Sequence, residues 1–182
     1  MYYEKIQGWF NYNILFDSMV NAYDNAVFVE IGTWKGRSAV YMGEKIKESG
    51  KKIKFFTVDT FDSTPDNDHF MYLDVNDLYD TALKNIEPVK EFVNVIKGRS
   101  DDVYSQFENE SVDFLFIDGS HAYEAIKKDI ELWYPKIKIG GVIGGHDYDQ
   151  PTCGVKQAVD EYFGTNNAFN PLYNAWIYNK LK

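Results

Sequence analysis

Four polar side chains in the second half of the chain have the types and spacing to do chemistry. Asp118 and His121 lie three residues apart in FIDGSH, and His146 and Asp147 are adjacent in GGHDY. Each pair closes an apolar run. If those runs are neighbouring strands, Asp118, His146 and Asp147 converge at one end of a sheet. Two carboxylates and an imidazole with open positions suit a divalent ion such as Mg²⁺ or Mn²⁺, and the nitrogen ligand makes Mn²⁺, Fe²⁺ or Zn²⁺ more competitive. His121, at the start of a helix, is placed to take a proton from a group bound there. The plainer alternative is that Asp118, Gly119 and Ser120 form a turn into a helix and that His146 is a hydrogen-bonded loop residue.

Earlier in the chain, VEIGTWKGRSAV (29–40) sets an acid, Glu30, before Gly32 and Gly36. Glycines there let the backbone turn sharply and approach a ligand, while the following helix offers free amides. Trp34 occupies a position that the dinucleotide fingerprint Gly-x-Gly-x-x-Gly gives to glycine, which argues against NAD. Asp59 ends the next apolar run, where doubly wound folds place an acid against ribose hydroxyls; a helix cap or turn is its bland role. In GRSDD (98–102), Ser100 or Asp101 would cap a helix at the pocket rim.

Stepping these residues into space requires strands. Five apolar or β-branched runs read as buried strands: AVFVEIG (26–32), IKFFTVD (53–59), FVNVIKG (92–98), VDFLFID (112–118) and GVIGGHD (141–147). Helical stripes follow them: Ala39, Met42, Gly43 and Ile46; Leu78, Ala82, Leu83 and Ile86; Ala122, Ile126, Ile130 and Trp133; Val155, Ala158, Val159, Tyr162 and Phe163. This alternation predicts an α/β fold, a single doubly wound and mostly parallel sheet with helices on both faces. Trp9, Tyr12, Phe16, Met19, Val20 and Tyr23 recur at helical spacing near the N-terminus, as a helix packed on the sheet or a lid. PLYNAWIYNK (171–180) has the aromatic bias of a last strand, antiparallel near an edge. The stretch 60–80, with six aspartates and no lysine or arginine, is either a solvated acidic loop or a mobile loop bringing His69, Phe70 or Tyr72 to a substrate.

Composition bounds the partners. The chain has 182 residues, enough for one core, and a net charge of −9, which disfavours nucleic acid. A lone cysteine, Cys153, excludes an internal disulfide and a zinc framework. Neither a signal layout nor a bilayer-length apolar run is present, so a cytoplasmic setting without a membrane is expected. Exposed aromatics near the N-terminus would bury in a homodimer.

Taken together, VEIGTWKGRS, VDTF, FIDGSHAYEAIKKDIELWYPKIKIGGVIGGHDY and GVKQAVDEYF resemble the class I S-adenosylmethionine-dependent methyltransferases, in the small O-methyltransferase group near the macrolide-sugar and catechol-type enzymes. The resemblance runs from about residue 26 to 163 and implies a Rossmann-like methyltransferase fold, with S-adenosylmethionine as cofactor and a divalent metal, Mg or Mn, as a second one. With no linker, repeat or low-complexity tract, the chain reads as a single methyltransferase domain over 1–182: an N-terminal helical cap or lid (1–24), a cofactor-binding core (26–163) and a C-terminal strand region (164–182), the two ends lying outside the resemblance. Glu30, Gly32, Thr33, Trp34, Gly36 and Ser38 would form the loop holding the methionine portion. Asp59 and Thr60 would meet the ribose, Ser100 and Asp101 the adenine, and Asp118 would border the cofactor as well. Asp118, His146 and Asp147 would hold the metal and His121 would be the base, although metal-dependent relatives usually carry a carboxylate where this chain has His146. The implied reaction is O-methylation of a hydroxyl on a small molecule or sugar. The competing readings are a nicotinamide-dependent oxidoreductase and a cofactor-binding module without catalysis.

Overall fold

The computed structural model describes residues 2–62, 77–165, 167–168 and 174–182. Six strands form one sheet: β1 (Asn25–Ile31), β2 (Lys52–Asp59), β3 (Val93–Lys97), β4 (Val112–Ile117), β5 (Ile137–Gly145) and β6 (Trp176–Asn179). Their order is β3-β2-β1-β4-β5-β6. The first five pair in parallel, and β6 runs antiparallel to β5 at the edge. This is the doubly wound α/β fold that the alternation predicts, with the chain winding outward from β1 in both directions.

Period-2 alternation sends neighbouring side chains to opposite faces. Phe28, Phe114 and Phe116 pack on one face against α1 (Asn13–Ala22) and α2 (Arg37–Ser49), where Phe16, Met42 and Ile46 complete the layer. Val29, Leu115 and Ile117 enter the other layer, against Ile126, Ile130 and Trp133 of α5 (Tyr123–Trp133) and Val155 and Val159 of α6 (Val155–Phe163). Every residue of β4 is buried, as a central parallel strand requires. Helices α3 (Leu78–Ile86) and α4 (Ser100–Val103) flank β3 in sequence. Among the described residues no helix is long and apolar enough to cross a membrane.

The strand expectations hold in place and differ at their ends. The fifth strand begins at Ile137, four residues before the expected 141, because Gly140 adopts a left-handed φ of +83° within the strand rather than ending it. The β4–β5 register shifts between Val112 and Phe114 to absorb the irregularity. Near the N-terminus the helix covers only 13–22; Trp9 lies outside it and is 62% exposed, whereas Tyr12, one residue before the helix, is 2% exposed. In GRSDD neither Ser100 nor Asp101 caps α4. Arg99 takes the cap position, because the Ser100 hydroxyl is drawn to Asp129 and the Asp101 carboxylate to Arg99 and Lys128. His69, Phe70 and Tyr72 lie outside the described residues.

Candidate active site

Strand order reverses between β1 and β4, and in open α/β sheets the crevice beyond the carboxyl ends of the strands at such a point takes ligands. Backbone hydrogen bonds hold these ends in register past the strands themselves: Gly32 N–H donates to Val58 O, Asp118 N–H to Ile31 O and His146 N–H to Ile117 O. A cavity of about 830 Å³ opens there, towards the upper end of the ~300–1,000 Å³ of small-molecule sites.

The first loop is built around Asp59. Its Oδ2 accepts the backbone N–H groups of Thr33 and Trp34, each at 2.8 Å, and its Oδ1 accepts that of Phe61 at 2.8 Å. These bonds hold Trp34 at a φ of +50°, a conformation that bulky residues rarely adopt. Gly32, at φ +98°, passes so close to β4 that a Cβ would stand 2.0 Å from the Asp118 carbonyl oxygen. Here glycine is a steric requirement.

Of the residues expected to touch a cofactor, Gly32, Thr33, Trp34, Ser38, Asp59, Thr60, Ser100, Asp101 and Asp118 line the cavity. Glu30 and Gly36 are not on its wall. Gly36 opens α2 at φ +86° and lies against Ile86, 3.1 Å from where its Cβ would be. Glu30 is fully buried behind the loop: Oε2 accepts from the Thr57 hydroxyl at 2.9 Å, and Oε1 is buried without a hydrogen-bond partner among the described residues. Burial pushes its pKa up to about 8.

On one flank Ser100 donates its hydroxyl to Asp129 Oδ1 at 2.5 Å. Burial pushes the Asp129 pKa up to about 6. Asp101 pairs with Arg99 at 2.9 Å and Lys128 at 2.6 Å, which lower its pKa to about 2. Asp129 was missed by the sequence reading, yet a signal existed: it falls within the apolar stripe of α5, three residues after Ile126, where a charged side chain needs a reason.

On the other flank the four chemistry-bearing residues meet. His121 Nε2 lies 2.8 Å from Asp147 Oδ2, and His146 Nδ1 lies 3.3 Å from Asp147 Oδ1 and 3.7 Å from Asp118 Oδ1. Burial by itself would raise the Asp147 carboxyl, but hydrogen bonds from His121 and His146 hold it well below the usual carboxylate range. The bond from Asp147 raises the His121 pKa, and burial raises that of Asp118. The donor atoms of Asp118, His121 and Asp147 all lie within 4.8 Å of one another. That trio has His121 where the expected ligand set has His146, whose Nε2 is turned to Asn11 Oδ1 at 3.0 Å.

The wall carries both signs of charge: Asp59, Asp62, Asp101, Asp118, Asp129 and Asp147 line the cavity together with Arg37, Arg99 and Lys128, so it offers acceptors to hydroxyl and N–H donors as well as cationic partners. The Thr33 and Trp34 amides, which a pyrophosphate would need, are already bound to Asp59.

Comparison with known proteins agrees with this geometry. Residues 29–148 match a family model described as a methyltransferase domain. A protein of Sinorhizobium fredii (strain NBRC 101917 / NGR234) described as "Uncharacterized protein y4gI" is 23% identical over 173 residues, covering 95% of this chain and 18% of that one. The chain thus spans less than a fifth of the length of that curated relative. Two solved structures share the fold. The O-methyltransferase NovP has a TM-score of 0.72 at 19% identity, over 93% of this chain and 79% of that one. CalS11, described as a TDP-rhamnose 3′-O-methyltransferase of calicheamicin biosynthesis, has a TM-score of 0.65 at 16% identity, over 92% and 76%.

Proposed function

The chain belongs to the methyltransferase domain family, and from that premise we propose that it uses S-adenosylmethionine to methylate a hydroxyl of a small molecule or sugar. One observation carries the reading: the loop anchored on Asp59 and the His121–Asp147 pair line a single cavity at the reversal of strand order. The donor set fits the cofactor. Asp59 lines the cavity as an acceptor for ribose hydroxyls, Ser100, Asp101 and Asp129 offer polar partners to the base, and Asp118 and Asp147 on the other flank offer carboxylates to a ligand with ammonium and sulfonium charges. A nicotinamide dinucleotide fits less well, since the Thr33 and Trp34 amides that its pyrophosphate would need are occupied by Asp59.

When bound, S-adenosylmethionine supplies a methyl group on a sulfonium that is already a good leaving group. The protein's work is to hold the acceptor oxygen in line, exclude water and take the proton. His121 does the last of these: held through Nε2 against Asp147 Oδ2, it takes the acceptor's proton, and Asp147 stabilises the imidazolium that results. NovP, described as an O-methyltransferase, and CalS11, described as a TDP-rhamnose 3′-O-methyltransferase, support a hydroxyl, and a sugar hydroxyl among them, as the acceptor class.

A second reading is favoured by the close grouping of Asp118, His121 and Asp147. A divalent ion held there would polarise the acceptor hydroxyl, with His121 as ligand instead of base. The test is transfer of labelled methyl from S-adenosylmethionine across a panel of small diols, catechols and nucleotide sugars, before and after chelation. The base reading expects His121→Ala to lose about 10²–10⁴-fold in turnover, cofactor affinity to be kept, and chelation to have no effect. Loss of activity on chelation, restored by Mg²⁺ or Mn²⁺, would replace it with the ion reading; a fully active His121→Ala would remove His121 from both.

A further inference from the structure

The segment before α1 lies outside the alternating strand–helix core, yet two consecutive side chains of it enter the acceptor side of the cavity. The Tyr12 hydroxyl donates to Asp118 Oδ2 at 2.7 Å, and Asn11 Oδ1 lies 3.0 Å from His146 Nε2. Tyr12 is also near Ser38, which in turn interacts with the buried Glu30, so the phenol stands between the cofactor loop and the Asp118–Asp147 group. Its ring is fixed on several sides: Phe10 at 4.8 Å, Phe16 at 5.1 Å, Phe116 at 4.5 Å and His146 at 5.1 Å between centroids. A hydroxyl held that rigidly has one geometry to offer.

We propose that Tyr12 is a positioning residue for the methyl-transfer reaction, acting through Asp118: its hydrogen bond fixes the carboxylate plane so that Oδ1 stays turned to His146 and the acceptor side. This rests on the function proposed above. An exposed aspartate rotates among rotamers; Asp118 is held by a donor whose own orientation is locked by four rings. Asp118 lines the cavity beside His121 and Asp147, where the acceptor oxygen must be held, and small displacements there are costly, so the hydroxyl's loss lowers turnover more than it lowers binding.

Tyr12→Phe removes the hydroxyl and keeps the ring. The matched control is Tyr41→Phe, which also deletes a tyrosine–aspartate hydrogen bond, to Asp17 Oδ1 at 2.7 Å, within the same aromatic cluster but away from the cavity. The expected result is that Tyr12→Phe lowers kcat about tenfold with S-adenosylmethionine Kd and acceptor KM each within about twofold of wild type. Tyr41→Phe should keep kcat despite a similar change in Tm. In an Asp118→Ala background, which removes the acceptor, Tyr12→Phe should add little further loss, and the double-mutant cycle on urea stability should show coupling between the two positions. An active wild type with an equally active Tyr12→Phe overturns the role, as does a loss that persists at full size in Asp118→Ala or is matched by Tyr41→Phe. A wild type that transfers no methyl to any acceptor overturns the functional reading beneath it and this role with it.

Discussion

Glu30 makes the stability of the protein depend on pH in a way that can be calculated. Its carboxyl is fully buried, one oxygen has no hydrogen-bond partner among the described residues, and burial raises its pKa from 4.5 to about 8. The folded chain therefore keeps this proton across a range in which the unfolded chain has released it. Stability falls as pH rises wherever the folded state binds more protons, so this residue's contribution declines from near pH 4.5 and levels off above pH 8. Between about pH 5.5 and 7.5 the decline runs at somewhat over 1 kcal/mol per pH unit. It amounts to about 2–3 kcal/mol, up to roughly a hundredfold in the folded-to-unfolded ratio. Glu30→Gln keeps the shape and an acceptor for Thr57 but cannot ionise. Asp129 and His121, both raised, add slopes of the same sign, but they are present in both proteins and cancel in the comparison. Urea unfolding of the two proteins at the two pH values is the assay. Wild type should lose about 2–3 kcal/mol more than Glu30→Gln over that interval. Parallel pH profiles would refute the reasoning, since Glu30 would then be no more protonated in the folded chain than in the unfolded one.

Two substitutions probe the first loop. Gly32→Ala sets a methyl against the Asp118 carbonyl at a backbone angle that alanine resists, and should cost at least ~2 kcal/mol in urea unfolding together with cofactor binding; wild-type stability and affinity in this variant would show that the two strand ends part easily. Asp59→Ala strips an acceptor from three backbone amides and should cost roughly 2–4 kcal/mol and weaken S-adenosylmethionine at least about tenfold by calorimetry; unchanged affinity would remove Asp59 from the cofactor site.

The parts of the site that were legible in the sequence are those whose position follows from the strand ends. Asp59, Asp118 and His146–Asp147 each close or directly follow an apolar run, and parallel strands deliver such residues to one rim regardless of sequence separation. What was not legible depends on tertiary placement. Nothing in VEIGTWKG distinguishes Gly32, which touches the neighbouring strand, from Gly36, which packs under α3, or reveals that Glu30 points behind the loop. Tyr12 carried only an apolar signal, because a tyrosine at helical spacing reads as packing whether or not its hydroxyl has a distant partner. The cap expectation for Ser100 failed for a similar reason: a side chain 29 residues away in sequence, Asp129, competes better for its hydroxyl than the local backbone does.

The most direct test of the account is to titrate S-adenosylmethionine and NAD separately into the purified protein by calorimetry, alongside Asp59→Ala. The account predicts saturable binding of S-adenosylmethionine, weakened in the variant, and no comparable uptake of NAD. Binding of NAD in preference to S-adenosylmethionine, or of neither, would contradict it.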